Sequence, residues 1–233
     1  MNNLQQYSDM ADSWWDDSGP FQDLVHMIPA RFEFFDRTLC DWNGKRVLDL
    51  GCGGGFVSEF LAARGATVVG VDPSAPLLNV ARGHSSGRGL NIDYKVGTGE
   101  AIPAADGAFD VVVCVDVLEH VADLSKVLQE VRRVLKPQGL FFYDTINRTT
   151  FSFLWMIVAL EWISGRIPRG THDWRKFIRP HELLDLLNKN GFKPTEQAGL
   201  NISSLTMEKF RIKPKFKITR RMSGVYVGAA VRD

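Results

Sequence analysis

No uninterrupted apolar run in this chain reaches the roughly 20 residues that a membrane-spanning helix needs, which excludes a multispanning membrane protein. Cysteine is scarce. Only Cys40, Cys52 and Cys114 occur, without a CxxC pair or zinc-ligand spacing, so neither a disulfide framework nor a zinc module is expected, and the expected setting is reducing and cytoplasmic. The opening residues, MNNLQQYSDMADSWWDDSG, are polar and acidic and lack the apolar core of a secretory signal. Charge of one sign is lacking too: the formal net charge is +1. A basic stretch at 209–221 stands out locally, but it carries no recognisable nucleic-acid module, and nucleic acid is not an expected partner. No repeat or low-complexity tract is present.

What remains is ordinary globular composition, 45% hydrophobic and 24% charged over 233 residues. That length suits one α/β domain spanning 1–233, with an insertion at 148–180. From Lys45 onward, short β-rich runs alternate with amphipathic stretches, the pattern of a mostly parallel sheet covered on both faces by helices. RVLDL (46–50), ATVVGVD (66–72), IDYKVG, FDVVVCVDV (109–117) and GLFFYDTIN (139–147) read as strands. The fourth is apolar almost throughout, as a central strand buried on both faces should be. FKPTEQAG and SGVYVGAAVR (223–232) read as an antiparallel closing pair. The expected fold is therefore a doubly wound, Rossmann-like sheet of seven strands with an antiparallel final strand.

Between the first strand and the first helix of that pattern lies VLDLGCGGG (47–55). Open α/β sheets place ligands at the carboxyl ends of their strands, and glycines there let backbone approach a cofactor closely. The spacing is GxGxG at Gly51, Gly53 and Gly55, which differs from the GxGxxG of pyrophosphate binders. Asp49 sharpens the distinction. A carboxylate there repels a pyrophosphate and attracts the ammonium and sulfonium of S-adenosylmethionine. Asp72, with Pro73 after it at the tip of strand two, is placed to accept hydrogen bonds from ribose hydroxyls, a feature that serves either cofactor.

Strand, acid, glycine loop, helix, strand and second acid, in that order, resemble the class I S-adenosylmethionine-dependent methyltransferases over roughly residues 44–147. The resemblance implies that Asp49, Gly51 and Gly53 hold the methionine end of the donor and Asp72 the ribose. VGTGEAIP (96–103) is similar to the family's adenine-edge motif through Glu100 and Pro103, with Thr98 where many members carry an acid. Outer segments narrow the likeness. ADSWWDDSGPF (11–21), PAR (29–31), TINR (145–148) and PRGTHDWRKFIRPHELL (168–184) resemble the ubiquinone-biosynthesis O-methyltransferases, which methylate catechol-type hydroxyls on polyprenylated rings. By that likeness Arg31, Gly51, Asp72 and Val115 fall on donor-binding positions, and a bidentate guanidinium at Arg31 suits the donor's carboxylate; a structural ion pair is the alternative for that arginine. The chain departs from the family at 24–29, after Gly199 and in the basic stretch, all outside the expected donor site.

A phenolic acceptor attacks better once deprotonated, which requires a base or a metal. Asp116, Glu119 and His120 follow strand four, and on a helical turn positions i, i+3 and i+4 share a face. Two roles are open for them: His120 as general base oriented by a carboxylate, or the trio as ligands for a divalent cation such as magnesium. A third alternative is a cluster that only caps or orients its loop. The run FSFLWMIVALEWI (151–163) is strongly apolar, too short to span, and flanked by Arg148, Arg166, Arg169, Arg175, Lys176 and Arg179. It is expected as an interfacial helix on a membrane surface that collects a hydrophobic phenolic substrate; a buried helix over the sheet and a dimer interface are the alternatives. For the whole chain, the competing functions are a methyltransferase for a soluble small molecule, a donor-binding module without catalysis, and a nicotinamide oxidoreductase, which Asp49 and the glycine spacing oppose.

Overall fold

Each strand of the parallel half sends alternate side chains to opposite faces, and the core divides accordingly. Val47, Val68, Val111 and Val113 face one side, Leu48, Val69, Val112 and Cys114 the other, all at most 4% exposed. The computed structural model describes residues 5–17, 19–165, 167–208 and 211–233. Residues 1–4, Ser18, Arg166 of the basic flank, and 209–210 of the basic stretch lie outside the described residues.

Two helices, α1 (Gln5–Asp9) and α2 (Gln22–Phe35), precede the sheet. Then come β1 (Arg46–Leu50), α3 (Phe56–Ala62), β2 (Thr67–Asp72), α4 (Ala75–Gly87), β3 (Asp93–Val96), β4 (Phe109–Cys114), α5 (Leu124–Val134) and β5 (Leu135–Ile146). A short α6 (Thr150–Ser152) runs into a π-helix (Phe153–Ile163), followed by α7 (Pro180–Lys189), β6 (Phe192–Glu208), β7 (Arg211–Thr219) and β8 (Val225–Arg232). The sheet order is β3-β2-β1-β4-β5-β8-β6-β7, with parallel pairing from β3 through β5 and antiparallel pairing beyond.

The doubly wound parallel half and the antiparallel closing pair match the expectation. The count differs: among the described residues eight strands form instead of seven, because residues 211–219 of the basic stretch pair with a lengthened β6 and Phe216 and Ile218 pack on the core that α2 shares. Capping follows local chemistry. Ser74 accepts from Leu77 N (3.3 Å) at the start of α4, and Asp123 from Lys126 N (3.0 Å) at the start of α5, each satisfying a donor that the first helical turn leaves open. α2 is less orthodox. Pro29 lies within it, yet Met27, Ile28, Ala30, Phe32, Phe34 and Phe35 are all buried, and that burial outweighs the missing backbone bond.

Candidate active site

A cavity of ≈470 Å³ opens where β1, β2 and β4 end. The loop after β1 is stitched to the end of β2: Gly51 N and Cys52 N both donate to Val71 O, at 2.7 and 3.1 Å. Gly51 has φ +76°, and a side chain there would overlap Val117 Cγ2, so the loop requires glycine twice over. At Gly53 (φ +52°) an added Cβ would lie 2.6 Å from Trp14 Cη2. Trp14 forms a roof over the loop, stacked on Phe21 at 4.3 Å and on Phe56 at 5.3 Å. Trp15 Nε1 donates to Gly54 O at 2.9 Å while its ring stacks on His84.

Two carboxylates line the donor side. Asp49 is 1% exposed, and its Oδ2 accepts from Ser58 Oγ at 2.6 Å. Burial pushes its carboxyl up to about 7; the Ser58 bond opposes that and the nearby Asp72 charge adds to it. Asp72 accepts from Gly53 N through Oδ2 (2.9 Å) and from Ser74 N through Oδ1 (2.8 Å), and burial raises its pKa against those two bonds. Desolvated acids beside a glycine cradle suit the ammonium and sulfonium of S-adenosylmethionine. A cation there restores the interaction that burial removed.

Arg31 lies almost fully buried between two acids. Its Nε donates to Asp144 Oδ2 and its Nη2 to Asp116 Oδ2, both at 2.5 Å. A bidentate grip on the donor's carboxylate, the expectation from sequence, is therefore not available: two of three nitrogens are engaged by carboxylates. Nη1 has no partner among the described residues, and Arg31 lines the cavity, so one donor nitrogen remains. Pro73, Thr98, Glu100 and Val115 also line it. Glu100 is committed, however, because its Oε1 accepts from Ala122 N (2.9 Å) and Asp123 N (3.3 Å), tying the loop after β3 to the start of α5.

The three residues after β4 separate. Asp116 adopts φ +57°, which a short polar side chain tolerates, and a turn follows in which His120 N donates to Val117 O. No helical face forms. Asp116 pairs with Arg31, and its own N donates to Asp144 Oδ1 at 2.6 Å. Glu119, 2% exposed and absent from the cavity wall, accepts from Thr145 Oγ1 at 2.7 Å; burial and the Asp116 charge push it up to about 7. His120 does line the cavity, and burial, with His172 and Lys176 adding, pushes it down to about 3. The three side chains thus do not share one face. Among the described residues no group of three His, Cys, Asp or Glu side chains is placed to hold a metal ion.

Sequence reasoning missed the contributions of Tyr7, Ser8 and Trp14, which line the cavity from the N-terminal segment, and of Leu24 and Ile28 from α2. The adjacent tryptophans of ADSWW were a visible signal, but nothing in their spacing tied them to a loop 40 residues away.

A family described as "Methyltransferase domain" matches residues 48–143. The chain is 40% identical over 240 residues to a protein of Cereibacter sphaeroides named ubiquinone biosynthesis O-methyltransferase, covering 98% of this chain and 95% of that one. A protein of the same name from Hahella chejuensis is 41% identical over 209 residues, with coverages of 89% and 87%. Among solved structures, a Pyrococcus horikoshii protein aligns with a TM-score of 0.69 at 21% identity, covering 98% of this chain and 99% of its own. The magnesium protoporphyrin IX methyltransferase of Synechocystis, solved with bound SAH, aligns at 0.67 and 18%, with coverages of 99% and 96%. These two structural likenesses concern the fold.

Proposed function

Because the chain belongs to the ubiquinone biosynthesis O-methyltransferase family of S-adenosylmethionine-dependent enzymes, we propose that its acceptor is a phenol or catechol hydroxyl on a hydrophobic, polyprenylated quinone-precursor-like ring. The observation that carries this reading is the two-sided cavity. Its lining combines the acids and the glycine loop with the apolar Leu24, Ile28, Val117 and Val121 and with His120.

The donor supplies an activated methyl on a sulfonium, so the protein's work is alignment and exclusion of water. Asp49 and Asp72 hold the cation and ribose, and Trp14 and Tyr7 cover them. Arg31, fixed by Asp116 and Asp144, presents Nη1 to the donor's carboxylate. His120, neutral at physiological pH, accepts the hydroxyl proton as the oxygen attacks. Incubation with S-adenosylmethionine and a small catechol, followed by mass spectrometry, tests the reading; a methylated catechol is expected. Titration with S-adenosylhomocysteine and with NAD accompanies it. Absence of product despite S-adenosylhomocysteine binding would leave a donor-binding module in its place.

The same reading takes the protein to a membrane surface as a peripheral partner from the cytoplasmic side. No helix of the described residues is long and apolar enough to cross a membrane. In the π-helix region, Phe151, Phe153, Leu154, Trp155, Trp162 and Ile163 are exposed, Ile163 at 78%. A buried cover for the sheet is therefore not what this segment forms. Indole rings beside basic residues suit a headgroup boundary, and Arg169 stacks over Trp162 at 5.0 Å. Co-sedimentation with anionic vesicles is expected to fall in a Trp155→Glu, Ile157→Glu variant. Equal pelleting, with dimers in solution, would assign the face to a second copy instead.

A further inference from the structure

Glu161 inverts the pattern of its own helix. It is 1% exposed while Phe153, Leu154, Trp155, Trp162 and Ile163 of the same helix are exposed. A carboxylate removed from water persists when hydrogen-bonded, and among the described residues the bonds of Glu161 run to one loop. Oε2 accepts from Gly170 N at 2.8 Å, and Oε1 accepts from His172 N at 3.0 Å and from His172 Nδ1 at 2.8 Å. An ionised Glu161 thereby fixes the His172 tautomer, with the proton on Nδ1. The His172 ring lies against that of His120, 5.4 Å between centroids and tilted 32°, with Phe177 edge-on at 5.8 Å. From the N-terminal side, Gln6 Nε2 donates to Thr171 Oγ1 at 2.5 Å.

We propose that His172, clamped by Glu161, is a positioning residue for methyl transfer: it sets the ring of His120 at the cavity wall and ties that ring to the exposed π-helix. The inference rests on the reading of His120 as the group that meets the acceptor hydroxyl. Burial leaves His120 neutral but weakly basic, so its contribution depends on a nitrogen lying within hydrogen-bond reach of the hydroxyl. Orientation decides, and the His172 ring packs against it.

The test uses the full chain with a small soluble catechol and no vesicles, so surface docking plays no part. Glu161→Gln and His172→Gln are expected to lower kcat about tenfold, with the donor KM and S-adenosylhomocysteine affinity within about twofold. Glu161→Asp restores part of the loss. In both Gln variants the 15N resonances of the His120 ring shift; His172→Gln does so at an unchanged melting temperature, whereas Glu161→Gln, which sets an NH2 against one of two buried backbone N–H groups, also melts lower. A purely structural role would instead lower melting temperature and donor affinity together. Should Glu161→Gln not fold, His172→Gln carries the same expectation, since it leaves the backbone bonds of Glu161 in place. Turnover within about twofold and unshifted His120 resonances in a folded variant would overturn the clamp. Full turnover in His120→Ala would overturn both the base reading and the clamp; its loss there, with His172→Gln unimpaired, would overturn the clamp alone.

Discussion

Ser58 Oγ, on α3, reaches Asp49 Oδ2 at 2.6 Å, and the Ser58 backbone adds a second bond, so one residue of the helix after the glycine loop holds the acid that precedes it. Those bonds do not offset burial, which pushes the carboxyl up to about 7. The ionised form attracts a cation, so donor affinity should rise with pH through about 7 and then level off. Binding at about pH 6 should release a proton that binding at about pH 8 does not. Calorimetry in two buffers of different ionisation enthalpy reads this directly. No proton release at either pH would remove Asp49 from the donor site.

The same shift has a consequence for the donor-free protein. The folded carboxyl keeps its proton up to about 7, whereas the unfolded one releases it near its ordinary value of 3.8. Between those values the folded state binds more protons, so this group's contribution to stability falls as pH rises. Asp49→Asn removes the loss. The variant should melt above the wild type at about pH 8, show little difference at about pH 4, and bind donor at least about tenfold more weakly. Melting curves at the two pH values, with a donor titration, check the trade of function against stability.

Arg31 and Asp144 form a pair with almost no solvent contact. Burial pushes the Asp144 carboxyl up and the guanidinium opposes it. Arg31→Ala strands a carboxylate and should cost about 3–5 kcal/mol in urea unfolding at neutral pH. At acid pH the cost should shrink, because the orphaned Asp144 takes up a proton. An Arg31→Met, Asp144→Leu double variant should recover part of the stability while losing donor affinity, the shortfall being the Asp116 N–H and carboxylate that it leaves unmatched. A single variant as stable as the wild type at neutral pH would contradict this account.

The parallel half was legible because its physics is local. β1, β2 and β4 are short, largely apolar runs followed closely by acids or glycines, and each produces a strand whether or not its neighbours are known. Asp49 and the glycines could be placed because one strand and the loop after it carry them, and Asp72 because it ends the next strand. α2 was not legible, since Pro29 reads as a stop and only long-range burial of Phe32, Phe34 and Phe35 overrides it. β7 was masked by its charges: Lys213, Lys215 and Lys217 alternate with Pro214, Phe216 and Ile218, and overall basicity outweighed the period of two that marks a half-buried strand. The spacing of Asp116, Glu119 and His120 misled for a different reason. It assumes a helical turn, and the left-handed backbone at Asp116 prevents one.

Asp72 offers the sharpest separation of charge from geometry. Both of its oxygens accept backbone N–H groups, one from Gly53 in the cofactor loop and one from Ser74 at the start of α4. Asparagine has only one acceptor oxygen, so Asp72→Asn must set an NH2 against one of those two N–H donors, whichever way the amide turns. Leaving a buried donor unmatched costs about 1–3 kcal/mol. Asp72→Asn should therefore lower the melting temperature as well as weaken donor binding. Asp72→Glu keeps the charge but lengthens the arm, and should weaken binding while keeping more of the stability. If Asp72→Asn lost donor affinity at an unchanged melting temperature, the two backbone bonds would not be holding the loop, and the ribose contact alone would account for this acid.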